Sequence, residues 1–259
     1  GVLMELLELM EGVLTKYSLV TAFAVIGVTV WVSYFLSERL TKGRIHGSAI
    51  AILIGLILAY VGGATTGGRQ GIADVSVLSG IGLMGGAMLR DLAIVATAFG
   101  VRMDEFRSTG LTGIVSLLAG VLSSFFVGAC VAYAFGYTDA VSMTTIGGGA
   151  ATYIVGPVTG TALGATDEVR ALSVAAGLVK SILVMILTPF IAKYIGLDNP
   201  RSALIFGGLM GTTSGVAAGL AATDPKLVPY GAMTATFYTG LGCLLGPSAV
   251  YFVIRAIVS

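Results

Sequence analysis

Residues 207–215 read Gly-Gly-Leu-Met-Gly-Thr-Thr-Ser-Gly and lie in the middle of an apolar run that extends from 201 to 223. A helix needs about 20 apolar residues to cross a bilayer core of roughly 30 Å, so the run is long enough to be a membrane segment. Its clustered glycines, however, disfavour a continuous helix. Non-helical backbone is tolerated at membrane depth only where protein or water satisfies its polar groups. The run therefore predicts a broken or re-entrant segment that lines a cavity.

The rest of the chain has the composition of a membrane protein. Of its 259 residues, 56% are hydrophobic and 10% are charged, whereas a soluble domain carries about 25% charged residues. Glycine occurs 38 times, and it is enriched where membrane helices break or approach one another closely. We predict an all-α integral membrane protein surrounded by lipid. The net charge of +1 gives no indication of a nucleic-acid partner.

Apolar runs long enough to be membrane segments recur along the whole chain. They cover residues 18–36, 46–62, 76–99, 110–135, 140–163, 169–192, 201–223 and 229–257. The runs 76–99 and 140–163 share the glycine-rich interruptions of 201–223, so we expect all three to be broken or re-entrant. The sequence thus predicts about eight membrane segments.

Residues 1–17 precede the first run and differ from it in pattern. Glu5, Glu8 and Glu11 recur there at helical spacing between apolar residues. This pattern predicts an amphipathic helix that lies at the membrane interface, or a docking surface for a partner subunit.

The positions of lysine and arginine indicate how the chain is oriented in the membrane. Arg39, Lys42 and Arg44 follow the first run, and Arg102 and Arg107 follow the third. If the runs between them cross fully, both groups lie on one side, which the excess of positive charge predicts to be the cytoplasm. The N-terminus is then outside. A re-entrant third run would invert the later segments.

A shift of 126 positions reveals an internal similarity. It places residues 82–85 on residues 208–211, and both stretches read Gly-Leu-Met-Gly. We predict two four-segment repeats, over residues 18–135 and 136–259, after the amphipathic segment 1–17. Secondary transporters are built from such repeats and bind substrate and coupling ion near the membrane midplane, at the ends of broken helices. The repeat therefore favours a carrier.

Three charged residues lie deep in apolar runs and are candidates for the binding site. Arg90 and Asp91 lie roughly 15 Å deep at 1.5 Å per residue, where a charge costs at least about 2.5–3.5 kcal/mol. Arg90 is a candidate to bind a substrate carboxylate bidentately, and Asp91, with Gly85 and Gly86, to bind Na⁺; the alternative is an internal ion pair. Lys180 lies similarly deep in the sixth run. It is a second candidate partner for a carboxylate, or its ammonium extends towards an interface.

The second and third glycine-rich breaks supply the remaining candidates for substrate binding. These are Thr144, Thr145, Gly147, Gly148, Gly149, Thr152, Gly211, Thr212, Thr213 and Ser214. Backbone NH groups at the N-termini of half-helices bind anions, and hydroxyls with freed carbonyls bind Na⁺. Close helix packing explains the glycines equally well, but it does not explain the clustered threonines.

Two stretches resemble a known family. Residues 42–51 (Lys-Gly-Arg-Ile-His-Gly-Ser-Ala-Ile-Ala) and 80–91 (Gly-Ile-Gly-Leu-Met-Gly-Gly-Ala-Met-Leu-Arg-Asp) resemble the larger (M) subunit of the bacterial malonate–sodium symporter, the MadM family. The resemblance extends over nearly the whole chain. It implies uptake of malonate across the bacterial inner membrane, Na⁺ as the coupling ion, and a smaller membrane subunit, the L subunit, as partner. It implies no site residues.

Other functions remain open on the residues alone. The same machinery would serve a carrier of another small carboxylate, and glycine-rich loops also form the filters of ion channels. A third alternative is a structural membrane subunit whose chemistry lies in its partner. The sequence has one histidine and no HExxH motif, Cys/His cluster or Ser–His–Asp set, so we expect neither an enzyme nor a resident cofactor or metal beyond Na⁺.

Overall fold

The computed structural model describes residues 2–68, 70–84, 104, 107 and 110–258. All regular elements in these residues are helices. The chain divides into two compact units, residues 1–96 and 97–259, which are described separately below.

In its described residues, the first unit contains four α-helices and two short 3₁₀ helices. The α-helices are α1 (Val2–Lys16), α2 (Ser18–Thr41), α3 (Gly47–Thr66) and α4 (Gly80–Met84), and the 3₁₀ helices are Gly71–Asp74 and Ser76–Leu78. Helix α1 buries none of its residues. It is separate from α2 because Tyr17, between the two, leaves the helical conformation. The segment 1–17 therefore contains a distinct helix.

The tight turn between α2 and α3 is held by side-chain caps. His46 is the N-cap of α3, and its ring nitrogen accepts a hydrogen bond from the backbone NH of Ser48 at 3.3 Å. Burial of the imidazole lowers the pKa of His46, which keeps the ring in the neutral form that accepts this bond. Gly47 packs directly against the ring of Tyr34 on α2.

The second unit alternates long helices with pairs of short ones. Its elements are α5 (Gly110–Ala134), α6 (Ala140–Ala151), α7 (Val155–Leu163), α8 (Asp167–Ile191), α9 (Pro200–Met210), α10 (Thr213–Ala221), a 3₁₀ turn (Pro225–Leu227), α11 (Val228–Leu245), a π-helical turn (Gly246–Val250) and α12 (Tyr251–Val258). Each short pair replaces one predicted apolar run: α6 and α7 replace 140–163, and α9 and α10 replace 201–223. The predicted breaks therefore occur in both runs.

The first short pair folds back on itself as a helical hairpin, which we call hairpin 1 (residues 140–163). Gly148 and Gly149 lie against Gly156, and Gly160 lies against Thr145, so α6 and α7 are antiparallel. Without side chains, these glycines let the two backbones approach closely. At 1.5 Å per residue, α6 is about 18 Å long, which is too short to cross a bilayer. The run therefore turns back on itself and does not form one continuous crossing helix.

The second pair, hairpin 2 (residues 200–221), enters from the other end of the unit. Ala203 lies against Gly231 and Gly211 lies against Tyr238, so α9 runs parallel to α11. By contrast, α10 runs parallel to α8, since Gly215 contacts Ser181 and Gly219 contacts Thr188. Hairpin 1 begins and finishes at the end of the unit where α5 ends and α8 begins. Hairpin 2 begins at the end of the unit where α8 ends. The two hairpins therefore approach one another from opposite ends.

Both hairpins begin with a well-formed cap. The Asp139 carboxylate accepts a hydrogen bond from the NH of Ser142 at 2.8 Å, and the Asn199 side chain accepts one from the NH of Ser202 at 3.0 Å. Burial alone would raise the pKa of Asp139, but the hydrogen bonds from Ser142 and from the backbone of Asp139 and Val141 together outweigh it and hold that pKa below its usual value. An N-cap contributes about 1 kcal/mol to helix stability.

Five helical stretches of the described chain are long and apolar enough to cross a membrane. They are Ser18–Thr41, Gly47–Leu78, Gly110–Ala134, Asp167–Ile191 and Pro225–Val258. The chain is thus an all-helical, multi-pass membrane protein. Only the first part of the predicted run 76–99 lies in the described residues, and the count of eight segments stays a prediction.

Candidate functional site

The tips of the two hairpins meet beside the middle of α8. Tyr153, at the tip of hairpin 1, packs against Gly177 of α8. Thr212, at the tip of hairpin 2, donates a hydrogen bond to Ser181, one turn further along the same helix, at 3.0 Å. Residues 177–181 lie near the centre of the membrane-length helix α8. The tips therefore bring polar groups to mid-membrane depth.

Lys180 lies at this meeting point and connects three elements. Its ammonium donates to the backbone carbonyl of Ala151 at 2.9 Å, to the hydroxyl of Ser124 at 3.2 Å and to the hydroxyl of Tyr238 at 3.3 Å. It also lies 5.1 Å from the centroid of the Tyr238 ring. These acceptors are all neutral, and the described residues supply no carboxylate to the ammonium. Lys180 is a charge without a countercharge in this part of the chain.

Tyr238 of α11 closes the cluster around Lys180. Its side chain is fully buried, and its hydroxyl donates to Ser124 at 2.7 Å and to the carbonyl of Gly120 at 3.1 Å. The ring packs on Gly211 at the tip of hairpin 2. Gly211 has φ +78°, a left-handed conformation that suits glycine and ends α9 at this position. One tyrosine thus connects α5, Lys180 and hairpin 2.

A second polar group, which we call the hydroxyl trio, consists of Ser181, Thr212 and Ser214. The Ser181 hydroxyl lies 2.9 Å from that of Ser214 and accepts from Thr212 at 3.0 Å. Ser181 and Thr212 are buried and Ser214 is partly exposed. Tyr153 of hairpin 1 reaches Ser214 with its hydroxyl at 3.5 Å. The trio therefore joins α8 to hairpin 2 and touches hairpin 1.

A cavity of about 390 Å³ opens beside Lys180. Ala150 at the end of α6 and Met210 at the end of α9 belong to its wall, so it reaches both hairpins. Apart from Lys180 and Thr188, the lining is apolar. The hydroxyls that surround the Lys180 ammonium do not belong to the wall, so the cavity is an apolar space beside the polar cluster.

The structure brings some of the predicted site residues together. Thr152 and Thr212 occupy the tips, where each hydroxyl accepts hydrogen bonds from the first NH groups of the following helix: from Val155 at 3.0 Å and from Gly215 at 3.4 Å. Thr213 is the first residue of α10. With Lys180, Ser214 and Gly211, these residues form the region where the hairpins meet.

Other predicted residues lie away from this region and serve packing. The hydroxyls of Thr144 and Thr145 are fully buried and donate to carbonyls of their own helix, Ala140 at 2.6 Å and Val141 at 2.7 Å. The glycines 147–149 form the close contacts of α6 with α5, α7 and α8. These five residues have their polar groups or surfaces occupied inside the bundle.

The predicted clamp and sodium site in the third run fall outside the described residues. Arg90, Asp91, Gly85 and Gly86 belong to this group. Sequence reasoning also missed four residues of the site: Ser124, Tyr153, Ser181 and Tyr238. A lone serine or tyrosine in an apolar helix gives no periodic signal, although polar residues at membrane depth usually face a partner or a cavity.

The comparison with known proteins identifies the family. The chain matches the family described as malonate/sodium symporter MadM subunit over residues 10–258. Searches of the curated proteins and of the solved structures found no match. The match begins within α1 and ends with α12, so it includes both hairpins and the cluster around Lys180. Since the match covers nearly the whole chain, this protein belongs to the MadM family of malonate/sodium symporter subunits.

Proposed function

We propose that this chain is the substrate-binding subunit of a sodium-coupled malonate carrier and that Lys180 binds one carboxylate of the substrate. The observation that carries the proposal is the position of Lys180, where the hairpin tips meet, with neutral acceptors alone among the described residues. An ionised side chain at membrane depth is costly and usually serves function. A carboxylate would supply the missing countercharge and form charge-assisted hydrogen bonds.

The surroundings of Lys180 suit a small dicarboxylate. Malonate has two charged ends and one methylene, so a site for it needs a cation, hydroxyl or NH donors and little apolar area. Ser124 and Tyr238 supply hydroxyls beside the ammonium. Helix α7 begins at the tip of hairpin 1, and helix N-termini favour negative charge. Arg90, which lies outside the described residues, stays a separate proposed ligand for a substrate carboxylate.

Transport is proposed to proceed by alternating access. Hairpins that enter from opposite ends and meet at one site allow each hairpin to cover the site from one side. Movement of one hairpin would then open the site to one side of the membrane only. Secondary transporters that work in this way have broken helices with the substrate bound near the membrane midplane, and the two hairpins fit this pattern.

We also propose the topology, the partner and the location of the protein. They are about eight membrane segments in two repeats over 18–135 and 136–259, an interfacial segment 1–17, a smaller L subunit as partner, and a location in the bacterial inner membrane. A shift of 126 positions places α3 on α8 and α5 on the last helices, which supports the repeats. It also places α2, a single helix, on hairpin 1, so the first segments of the two halves differ.

The proposal is tested by uptake of radiolabelled malonate into proteoliposomes that contain the chain with and without the small subunit. We expect accumulation that requires both subunits and an inward Na⁺ gradient. Saturation and counterflow would distinguish the carrier from a channel, and competition by other small carboxylates would define the substrate class. If both subunits together give no Na⁺-dependent accumulation, malonate is not the cargo.

Lys180→Met tests the role of the ammonium directly. Uptake at low malonate should fall by roughly thirtyfold or more, because loss of one partner of a buried charge pair costs about 2 kcal/mol or more. Lys193→Met is the matched control, since Lys193 is exposed and lies over the ring of Tyr194, away from the cluster. If Lys180→Met transports like Lys193→Met, Lys180 does not bind the substrate.

A further inference from the structure

Two long helices of the second unit share a pattern at a spacing of 57 positions. The identical pairs are Ser116 and Ser173, Ala119 and Ala176, Gly120 and Gly177, Ser124 and Ser181, and Val127 and Val184. All belong to α5 or α8. Their packing corresponds as well: Ser116 lies against Gly208 of hairpin 2, and Ser173 lies against Gly149 of hairpin 1. Helices α5 and α8 therefore occupy equivalent places against the two hairpins.

The hairpins correspond to each other at a spacing of 60 positions. The matching pairs are Asp139 and Asn199, Ser142 and Ser202, Gly147 and Gly207, Gly148 and Gly208, and Thr152 and Thr212. The roles match too, since both first residues are N-caps and both threonines accept from the NH three residues later. Residues 110–163 and 167–221 thus correspond as two copies of one unit, a long helix followed by a hairpin, in opposite orientations. This pairing of α5 with α8 is an alternative to the pairing of α5 with the last helices in the repeats 18–135 and 136–259.

The two copies differ in where they hold a positive charge. In the first copy, the hydroxyl of Ser124 and the carbonyl of Ala151, at the C-terminal end of α6, accept hydrogen bonds from an ammonium. That ammonium is Lys180, which the second copy supplies. The equivalents of these two groups in the second copy are Ser181 and the carbonyl of Gly211, at the end of α9. The residue equivalent to Lys180 is Ser123, which has no charge. The second copy therefore repeats the acceptors of the first without the cation.

We propose that the coupling Na⁺ binds at this second position, held by the hydroxyl trio of Ser181, Thr212 and Ser214 and by the carbonyl of Gly211. That the coupling ion is Na⁺ rests on the proposed function. This position lies at the tip of hairpin 2, one residue along α8 from the proposed carboxylate ligand Lys180. Ion and substrate would then share one helix and both hairpin tips.

The chemistry of the trio suits a hard monovalent cation. Its three hydroxyl oxygens converge, because Ser181 lies 2.9 Å from Ser214 and 3.0 Å from Thr212. The last hydrogen bond of α9 joins the NH of Gly211 to the carbonyl of Gly207, so the later carbonyls of this helix end lack intrahelical donors. The C-terminal end of a helix carries partial negative charge, and transporters bind Na⁺ at such ends with unwound carbonyls.

Binding of Na⁺ is measured first without substrate. The complex of the chain with the small subunit is purified in detergent, and its melting temperature is compared in sodium chloride and in choline chloride. A ligand that binds only the folded state raises this temperature. We expect stabilisation by Na⁺ in the wild type and in Ser173→Ala, whose hydroxyl bonds within its own helix to the Arg170 carbonyl at 2.6 Å. We expect none in Ser181→Ala.

Uptake in proteoliposomes provides the second measurement. The Na⁺ concentration for half-maximal malonate uptake should rise about tenfold in Ser181→Ala, the effect of losing roughly 1.4 kcal/mol of binding, and should be unchanged in Ser173→Ala. If Ser181→Ala does not fold, Ser214→Ala removes another oxygen of the trio and carries the same expectation. Wild-type Na⁺ dependence in these variants overturns the proposal.

Two further outcomes separate this inference from its alternatives. If Asp91→Asn raises the Na⁺ requirement and the trio variants do not, the ion binds in the third run and the proposal is wrong. If Na⁺ stabilises the protein through Ser181 but malonate is not transported, the cation site stands and the proposed function fails.

Discussion

Lys180 has two possible roles, to stabilise the fold or to bind the substrate, and its surroundings suggest how to separate them. An ammonium that serves as a structural cap on the Ala151 carbonyl would stabilise the fold. An ammonium that binds a substrate carboxylate would destabilise the substrate-free fold, because its charge is then unpaired. Burial of an unpaired charge is unfavourable, and replacement of buried ionic groups by apolar ones of similar size is often neutral or stabilising. The stability of a variant therefore separates the two roles.

We expect Lys180→Met to keep or raise the melting temperature in detergent while it lowers uptake at low malonate by roughly thirtyfold or more. Tyr238 remains bonded to Ser124 and Gly120 in this variant, since these bonds do not involve the lysine. Thermal unfolding of Lys180→Met and Lys193→Met, followed side by side, provides the measurement. A fall of roughly 4–8 °C in Lys180→Met alone, the equivalent of about 2 kcal/mol for a domain of this size, would show that the lysine is structural.

At the scale of residues, sequence reasoning predicted part of the cluster in which the hairpin tips meet, and its role in binding stays a proposal. Lys180, Thr212 and Ser214 were identifiable because charge and clustered hydroxyls are expensive in an apolar run. Thr144 and Thr145 carried the same signal, but their hydroxyls bond to their own helix. A threonine can satisfy its hydroxyl four residues back in any helix, so composition alone does not distinguish a ligand from a packing residue.

At the scale of elements, the glycines of the hairpins are points of backbone contact. Gly177 of α8 lies so close to hairpin 1 that a Cβ there would overlap the backbone nitrogen of Tyr153. A side chain can change rotamer, but this contact is relieved only by moving the hairpin tip. By contrast, Gly240 of α11 has open space around the position of a Cβ.

We expect Gly177→Ala to destabilise the protein by about 1–3 kcal/mol, the usual cost of overpacking, and to impair uptake by displacing the tip of hairpin 1. Gly240→Ala is the matched control. It should be neutral or slightly stabilising, because alanine is the better helix former by about 1 kcal/mol. Thermal unfolding of the two variants gives the melting temperatures to be compared. Equal melting temperatures would mean that Tyr153 does not pack tightly on α8.

The breaks in 140–163 and 201–223 were predictable from their glycines, but the direction of the chain after each break was not. A broken helix that crosses the membrane and a hairpin that returns have the same composition. What decides between them is the length of each half, about 18 Å for α6 at 1.5 Å per residue, and the contact of Gly148 with Gly156. That contact is a tertiary property without a local sequence pattern.

At the scale of the second unit, the inverted copies predict which loops share a side of the membrane. The loop 135–139 and the turn 164–166 join hairpin 1 to α5 and α8 and lie at one end. The loop 192–199 and the turn 222–227 join hairpin 2 to α8 and α11 and lie at the other. Lys193, Arg201 and Lys226 are at or beside this second pair, and an excess of positive charge marks the cytoplasmic side.

We therefore expect Thr138 to be outside the cell and Asp198 to be inside. Both residues are exposed in their loops, so single cysteines there are accessible to reagents. Thr138→Cys and Asp198→Cys are made in a background in which Cys130 and Cys243 are serine, and intact cells are treated with a membrane-impermeant maleimide. Thr138→Cys should react directly, and Asp198→Cys only after permeabilisation. The reverse result would invert the predicted orientation but would leave the architecture of the second unit unchanged. If both cysteines react from one side, α8 does not cross the membrane and the hairpins do not enter from opposite faces.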